Sequence, residues 1–251
     1  MASITPIHST DLEFDHGTFD ASSFAAEALS GWPSLATLID HTLLKPDATR
    51  SQVEQLCAEA IRYRFACAMI NPVWASTAVQ LLSGTGVPVG VVIGFPLGAS
   101  LVSTLRQEAA SLTRLGVREL DMVMPVGQLK SGNYQAVQRT IHAVATVAHH
   151  HGALLKVILE TCLLTVEEKL RASEIAIHAG ADFLKTSTGF SNGGATPADV
   201  ALLRGVAGAR SGVKASGGIR TLADVRTLLE AGANRIGASA SVAILKELGA
   251  E

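Results

Sequence analysis

The stretch Phe183-Leu184-Lys185-Thr186-Ser187-Thr188-Gly189-Phe190 places a lysine inside a short apolar run that ends in hydroxyl residues and a glycine. Lysine is unfavourable in strands and is rarely buried without a partner. One explanation of Lys185 is a surface strand with a solvated charge. The other is an amine kept partly neutral so that it can attack a carbonyl. The pattern of the whole chain decides between them, because it shows whether this strand has an exposed edge.

The apolar run of this stretch is one of eight similar runs. They are Leu38–Leu44, Phe65–Asn71, Pro88–Phe95, Glu119–Pro125, Leu154–Glu160, Phe183–Gly189, Gly212–Gly218 and Arg235–Ser239. Amphipathic stretches with helical spacing lie between them, and Thr165–Ala179 and Thr221–Ala231, for example, begin at threonine and precede a glycine. Eight strand–helix units predict an α/β fold, the TIM (β/α)₈ barrel, with a doubly wound parallel sheet as the alternative.

No linker or low-complexity tract divides this pattern. We therefore expect a short, partly mobile N-terminal extension over residues 1–30 and a catalytic barrel domain over residues 31–251. The first lysine or arginine is Lys45, whereas acidic residues are frequent near the start. A secretory signal or a transit peptide needs basic residues there. We interpret residues 1 to about 20 as an acidic tail and predict a short helix near Ala21–Leu29.

Composition limits the classes of function. Hydrophobic residues make up 48% of the 251 residues and charged residues 17%, so the chain can bury a large core. The net charge of −2 argues against a broad surface for nucleic acid or anionic membrane. No run approaches the ~20 apolar residues of a membrane helix. The three cysteines, Cys57, Cys67 and Cys162, form no CxxC motif, which favours a reducing cytoplasmic location over a disulfide framework or a zinc site.

Strand parity predicts which side chains point into the barrel. Side chains alternate between the two faces of a strand. In the fifth run, Lys156 and Glu160 lie on one face and only leucine and valine lie on the other. In the fourth run, Asp121 lies on the face opposite to leucine and methionine. We expect the apolar faces to meet the helices and the polar faces to line the interior.

Three lysines recur at one interval along this interior face. Lys156, Lys185 and Lys214 are 29 residues apart (185 − 156 and 214 − 185), about one strand–helix unit, which predicts similar heights on neighbouring strands. A closed barrel has no edge strand on which such lysines would be solvated. With Asp121 and Glu160 as counter-charges, they indicate a catalytic cluster; a structural network of buried ion pairs is the alternative.

Glycine-rich loops follow the last two strands. Ser216-Gly217-Gly218-Ile219-Arg220 follows the seventh and Gly237-Ala238-Ser239 the eighth. TIM barrels often bind phosphate with these two loops, through backbone N–H groups. Gly94–Gly98, after the third strand, is interpreted as a turn only.

The histidines do not predict a metal site. His149-His150-His151 closes a helix, where consecutive side chains point in different directions and cannot all reach one ion. His41 is interpreted as a satisfied core residue and His178 as a helix-surface residue.

Five motifs together resemble the deoxyribose-phosphate aldolase family over about residues 35 to 245. They are Ile39-Asp40-His41-Thr42-Leu43-Leu44, Glu119-Leu120-Asp121-Met122-Val123, Lys156-Val157-Ile158-Leu159-Glu160-Thr161, Phe183-Leu184-Lys185-Thr186-Ser187-Thr188-Gly189-Phe190 and Val213-Lys214-Ala215-Ser216-Gly217-Gly218-Ile219-Arg220. The resemblance implies a class I aldolase on a TIM barrel, which uses no metal or other cofactor. Such enzymes interconvert 2-deoxy-D-ribose 5-phosphate with glyceraldehyde 3-phosphate and acetaldehyde.

The resemblance also implies roles for individual residues. Lys185 would form the Schiff base, Lys214 would be the second active-site lysine, and Asp121 would shuttle protons. Substrate and phosphate binding would fall to Thr186, Gly189, Gly217, Gly218, Gly237 and Ser239. Supporting roles would fall to Lys156, Asp40 and Thr42. The expected partners are a phosphorylated sugar and acetaldehyde, in a homo-oligomer for which a dimer is favoured.

The chain departs from the family pattern in three places. Met69 stands where many relatives have a cysteine, so we expect better tolerance of acetaldehyde here. The chain ends Leu248-Gly249-Ala250-Glu251, without the tyrosine tail that reaches the site in some relatives, and the acidic extension has no obvious match. Two other hypotheses stay open: another phosphosugar lyase or isomerase, and a non-catalytic barrel that binds phosphorylated metabolites.

Overall fold

Eight parallel strands form a closed barrel in which neighbours along the chain are neighbours in the sheet. A computed structural model describes residues 18–251. The strands are β1 (Ile39–Leu43), β2 (Cys67–Ile70), β3 (Val89–Ile93), β4 (Glu119–Val123), β5 (Leu154–Ile158), β6 (Phe183–Lys185), β7 (Gly212–Ser216) and β8 (Arg235–Ala238). Each strand lies within one predicted run. The TIM barrel prediction is confirmed, and the doubly wound alternative is wrong.

Helices surround the barrel and connect its strands. They are α1 (Ala21–Ala28), α2 (Trp32–Ala36), α3 (Arg50–Tyr63), α4 (Ala75–Leu82), α5 (Val102–Leu115), α6 (Val126–Lys130), α7 (Tyr134–His150), α8 (Val166–His178), α9 (Pro197–Ala207), α10 (Leu222–Glu230) and α11 (Ser241–Glu247). Three helices begin with a complete capping box, at Thr49, Thr165 and Thr221. Each box satisfies two backbone N–H donors at the helix start, because the two side chains act as acceptors.

The alternation of side chains along the strands gives two buried regions, one between the sheet and the helices and one inside the barrel. Outward residues such as Leu120, Leu155 and Leu184 join the main apolar core between sheet and helices. The inward-facing side contains a second, small apolar cluster of Leu44, Cys67, Met69 and Val92, with Phe95 against it. The inward positions of β4 to β7 include buried charged side chains, among them Asp121, Lys156, Lys185 and Lys214, as parity predicted.

The register corrects the predicted heights of the lysines. Lys185 pairs with Lys214, as the equal spacing predicts. Lys156 pairs with Phe183 instead, so it lies two residues before the position opposite Lys185. A barrel closes only with a stagger between its strands. The β5–β6 register advances 27 residues and the β6–β7 register 29 (183 − 156 and 212 − 183), so equal spacing does not place all three lysines at one height.

The helix α1 packs against α10 and α2, and confirms the helix predicted near Ala21–Leu29. The Arg204 guanidinium lies 4.0 Å from the centre of the Phe19 ring just before α1. Most of the predicted acidic tail, residues 1–17, lies outside the described residues, and the domain division at residue 30 stays a prediction. In the described part of the chain, every helix is too short or too polar to cross a membrane.

Candidate active site

Asp121 lies at the centre of three buried lysines. Its Oδ2 is 2.8 Å from Nζ of Lys185 and 2.7 Å from Nζ of Lys214, and its Oδ1 is 2.8 Å from Nζ of Lys156. Asp121 and Lys156 are fully buried, and Lys185 is 3% exposed. Each side chain comes from the inward face of a different strand, so the barrel brings together groups that are 29 to 93 residues apart (214 − 185 and 214 − 121).

This arrangement separates the protonation behaviour of Asp121 and Lys185. Burial alone would raise the pKa of Asp121, but Lys156, Lys185 and Lys214 together hold it well below its usual range. Burial lowers the pKa of Lys185 to about 8; Asp121 opposes this shift, and Lys214 and Lys156 add to it. In the resting site an ionised carboxylate therefore lies beside an amine that loses its proton near pH 8.

Lys156 and Asp40 are two further charged residues of this cluster. Nζ of Lys156 is 3.4 Å from Oδ2 of Asp40, which Lys214 also contacts. Burial would lower the pKa of Lys156, but Asp121, Asp40 and Glu119 raise it well above the usual value. Lys156 therefore stays protonated and is unsuited to act as a nucleophile. The supporting role predicted for it stays a prediction.

A cavity of ≈ 280 Å³ opens above these groups at the carboxyl ends of the strands. Eight of the predicted site residues line it: Thr42, Lys185, Gly189, Lys214, Gly217, Gly218, Gly237 and Ser239. A larger groove of ≈ 780 Å³ lies beside the β3 loop and α5, but no lysine lines it. The smaller cavity is therefore where a carbonyl can meet the Lys185 amine.

The loops of this cavity present unused backbone donors. In residues 18–251, the N–H groups of Gly189, Gly217, Gly218 and Ser239 donate to no protein acceptor. Gly217 and Gly218 have φ angles of +89° and +80°, which favour glycine because a side chain would strain the backbone. Gly217 also packs against backbone, since an added Cβ would lie 3.1 Å from Cα of Gly194. Several free N–H groups around one concavity form a binding site for an anion.

Two sequence predictions need correction. Thr186 does not line the cavity; its hydroxyl donates to the carbonyl of Ser216 and accepts from the Ser216 N–H, both at 3.1 Å. The hydroxyl therefore links β6 to β7. Glu160 is not a counter-charge for the lysines. Its φ of +56° breaks the strand alternation, and its carboxylate accepts hydrogen bonds from the Thr188 hydroxyl (2.5 Å) and N–H (3.3 Å).

The cavity wall also contains residues that were not among the predicted site residues, including Lys45, Thr188, Ser216 and Phe190. Lys45 lies on the loop after β1, and no salt bridge holds its ammonium group within residues 18–251. Its position directly after a strand that contributes Thr42 was the available signal. Phe190 is 51% exposed and contacts Phe95 edge to face, with ring centres 5.2 Å apart.

The described residues contain one group with the spacing of metal ligands, Asp40, Cys67 and Glu119. Protein cations already neutralise its carboxylates: Lys156 contacts both, at 3.4 and 2.5 Å. Burial, and then Glu119 and Asp40, raise the pKa of the Cys67 thiol well above its usual value, whereas a metal binds the thiolate. The group therefore does not fit a metal site.

The histidines lie where they were predicted. His41 is buried, with Nε2 2.7 Å from Oε2 of Glu59 and its ring stacked on Phe65. His149 lies in the last turn of α7 and pairs with Asp182 at 2.9 Å. His178 is exposed on α8. None of them lines the cavity.

Comparisons with known proteins agree with this geometry. A family model described as DeoC/LacD family aldolase matches residues 34–247. A deoxyribose-phosphate aldolase from Geobacillus sp. (strain WCH70) is 53% identical over 213 residues, which are 85% of this chain and 95% of that protein. One from Lysinibacillus sphaericus (strain C3-41) is 52% identical over 86% of this chain and 96% of that protein. The deoxyribose phosphate aldolase of Aeropyrum pernix, described as tetrameric, superposes with a TM-score of 0.84 at 37% identity, covering 91% and 96% of the two chains.

Proposed function

Because this chain belongs to the DeoC/LacD family of aldolases, we propose that it is a class I aldolase acting on 2-deoxy-D-ribose 5-phosphate. It cleaves this sugar into D-glyceraldehyde 3-phosphate and acetaldehyde and catalyses the reverse addition. The observation that carries the proposal is Lys185: a buried amine with a pKa of about 8 at the floor of a cavity rimmed by free N–H groups.

The first half of the reaction belongs to Lys185. Its neutral amine attacks C1 of the open-chain aldehyde, and loss of water gives an iminium ion, which withdraws electrons from the neighbouring carbons. The two-carbon product is acetaldehyde, so the bond that breaks is C2–C3 and not C3–C4. Its electrons move to the iminium nitrogen and leave an enamine on Lys185, while C3 becomes the aldehyde carbon of the three-carbon product.

The second half is proton transfer, in which Lys214 and Asp121 act as a relay. Lys214 lines the cavity, whereas Asp121 is fully buried and reaches substrate only through the lysines or a water molecule. Lys214 takes the proton of the C3 hydroxyl as it passes one of its own to Asp121, and the same proton returns to C2 of the enamine. Hydrolysis of the resulting iminium releases acetaldehyde and restores Lys185.

The phosphate is bound at the rim by backbone and by one cation. Gly189, Gly217, Gly218 and Ser239 supply N–H donors. Gly237 leaves room for Lys214, because an added Cβ would lie 2.9 Å from Cε of that lysine. Lys45 is the wall residue whose ammonium group is not engaged by a carboxylate in the described part of the chain, so we assign it to the phosphate. Thr42 shapes the same wall from β1.

Assembly and location rest on different observations. We propose a homo-oligomer, with a dimer as the smallest unit, because the similar Aeropyrum pernix enzyme is described as tetrameric. Exposed apolar side chains such as Val73 (80%), Leu97 (77%) and Leu101 (74%) are available for contacts between copies. We propose a cytoplasmic location because all three cysteines are free thiols. Light scattering on the purified chain tests the assembly.

A coupled assay tests the activity itself. Cleavage of 2-deoxy-D-ribose 5-phosphate releases acetaldehyde, which alcohol dehydrogenase reduces with loss of NADH absorbance. We expect turnover by the wild-type chain and none above background by Lys185→Arg, which keeps a charge but not a neutral amine. Turnover by Lys185→Arg at the wild-type rate would remove Lys185 from the reaction. A phosphosugar isomerase would release no acetaldehyde, and a non-catalytic barrel would give no product at all.

A further inference from the structure

Two more charged side chains lie inside the barrel, beneath the lysines. Glu119 is the first residue of β4 and Arg235 the first of β8. Asp121 and Gly237 are the next inward-facing residues on the same two strands, so Glu119 and Arg235 lie nearer the amino-terminal end of the barrel. The Glu119 and Arg235 side chains are 5% and 13% exposed, and neither residue lines the substrate cavity.

Glu119 and Arg235 connect the two sides of the lysine cluster. Oε1 of Glu119 is 2.7 Å from Nη2 of Arg235, and Oε2 of Glu119 is 2.5 Å from Nζ of Lys156. Nε of Arg235 is 3.2 Å from Oδ1 of Asp40, whose other oxygen contacts Lys214. With the contacts of Asp121, these pairs close a charge ring. Its members, in order of contact, are Arg235, Glu119, Lys156, Asp121, Lys214 and Asp40.

Positive and negative groups alternate around this ring. Its three cations and three carboxylates cancel, and each cation lies between two carboxylates. Lys185 is a seventh group, attached from above through Oδ2 of Asp121. An uncompensated charge is the least favourable state in a buried site. The cluster as a whole is therefore neutral only when Lys185 has lost its proton.

We propose that Glu119 and Arg235 are positioning residues for the aldolase reaction, because their opposite charges balance within the charge ring and so set the net charge that Lys185 faces. They act through Lys156 and Asp40 and do not touch the substrate. The proposal rests on the proposed function only for the use made of the neutral amine. The charge argument depends on the ring alone.

Charged and titratable groups from several strands surround Arg235. They are Asp40 on β1, Cys67 on β2, Glu119 and Asp121 on β4, and Lys214, its register partner on β7. Lys156 on β5 and Lys185 on β6 face it through Glu119 and Asp121. Burial would lower the pKa of Arg235, but Asp40 and Glu119 raise it above its usual value. The buried Cys67 stays a neutral thiol and adds no charge. Phe183 of β6 adds an aromatic face, 5.7 Å from the guanidinium carbon.

The charge ring predicts opposite shifts in the pH at which Lys185 loses its proton when Arg235 or Glu119 is neutralised. Arg235→Gln leaves the ring with one excess negative charge, so Lys185 keeps its proton to higher pH. Glu119→Gln leaves one excess positive charge, so Lys185 loses its proton at lower pH. The double variant has a neutral ring again and returns to the wild-type midpoint. If the two residues only held the barrel together, their loss would lower stability without moving the midpoint in opposite directions.

Trace labelling with acetic anhydride measures the neutral fraction of Lys185 directly. The full chain is labelled across a pH series, and mass spectrometry compares the label on Lys185 with that on the exposed Lys246. Relative to wild type, we expect the Lys185 midpoint to rise by about one pH unit in Arg235→Gln and to fall by about one in Glu119→Gln. Arg118→Gln, an exposed charge removed next to Glu119, is the matched control and should leave the midpoint unchanged.

Shifts of the two single variants in the same direction, or no shift in either, would overturn the proposal. If one single variant does not fold, the other single variant and the double variant decide together. A midpoint that is displaced in the single variant and restored in the double variant supports the ring; an undisplaced midpoint in the single variant, or a displaced one in the double variant, contradicts it. The labelling uses no aldolase substrate. Failure of the proposed function would appear separately, as a wild-type chain that labels normally at Lys185 but forms no adduct with an aldehyde.

Discussion

Lys185 and Lys214 are register partners on β6 and β7, and their nitrogens lie 2.8 and 2.7 Å from the same oxygen of Asp121. Two amines that share one oxygen are close enough for each charge to oppose the other. Both line the same cavity, so one can act on the carbonyl while the other handles the proton of the neighbouring hydroxyl. This division of work between two like side chains depends on Asp121.

Asp121→Asn should reduce both activity and stability. The amide cannot accept protons from Lys214, so we expect kcat to fall by about 10²- to 10⁴-fold. It also leaves buried lysines without their shared counter-charge, which typically costs about 3–5 kcal/mol of unfolding free energy. Steady-state kinetics and urea denaturation measure the two effects. Asp182→Asn, which removes a partly exposed carboxylate next to β6, is the control; a similar loss of kcat there would refute the specific role of Asp121.

The activity should depend on the protonation of Lys185. Since its pKa is about 8, we expect the rate of Schiff-base formation in single-turnover experiments to rise with pH through that value and then level off. Rapid-quench trapping across a pH series measures this rate. A rate that is flat across the interval, or that falls with rising pH, would show that a different group limits the step.

The lowered pKa of Lys185 should also affect the stability of the folded chain. The pKa of Lys185 is lower in the folded chain than its ordinary value of 10.5, so between about pH 8 and 10.5 the unfolded chain binds the extra proton. Folding is therefore disfavoured by Lys185 below this interval and recovers as the pH rises through it. Lys185→Met should raise Tm at neutral pH, by roughly 2–4 °C per kcal/mol regained, and less at pH 10. Calorimetry at the two pH values checks the difference, and a lower Tm at neutral pH would contradict it.

Lys45→Ala should weaken binding of the phosphate and leave the chemistry intact. A hydrogen bond to a charged group is worth about 1.5–3 kcal/mol, so we expect KM for 2-deoxy-D-ribose 5-phosphate to rise by roughly 10- to 100-fold with kcat nearly unchanged. The rates with unphosphorylated 2-deoxy-D-ribose should not change. Lys246→Ala, an exposed lysine on α11, is the matched control. An equal loss with both sugars would remove Lys45 from the phosphate site.

Met69→Cys should make the chain more sensitive to acetaldehyde. Met69 is fully buried inside the barrel near its mouth, in the cluster of Leu44, Val92 and Phe95. A thiol there can trap an enal formed from acetaldehyde, whereas a thioether forms no such stable adduct. Residual activity after incubation in concentrated acetaldehyde measures the effect. Equal losses in the two proteins would refute the prediction.

Strand alternation predicted most of the site from sequence. It placed Asp121, Lys156, Lys185 and Lys214 inside the barrel because parity holds along a regular strand. It failed at Glu160, where a left-handed backbone turns the side chain towards Thr188, and no local pattern signals that turn.

Equal spacing along the chain was a poorer guide to position. It was right for Lys185 and Lys214 and wrong for Lys156, because the stagger between strands belongs to the closed barrel as a whole. The contact between Glu119 and Arg235 joins residues 116 positions apart for the same reason. Lys45 was missed because an exposed lysine on a loop has no periodic neighbours.

The most direct measurement is reductive trapping of the Schiff base. The wild-type chain is incubated with acetaldehyde, reduced with sodium borohydride and digested for mass spectrometry. We expect an N-ethyl group on Lys185 alone, its loss in Lys185→Arg, and its persistence in Lys246→Ala. A stable adduct on Lys214 or Lys45 in place of Lys185, or no adduct on any lysine, would contradict the account.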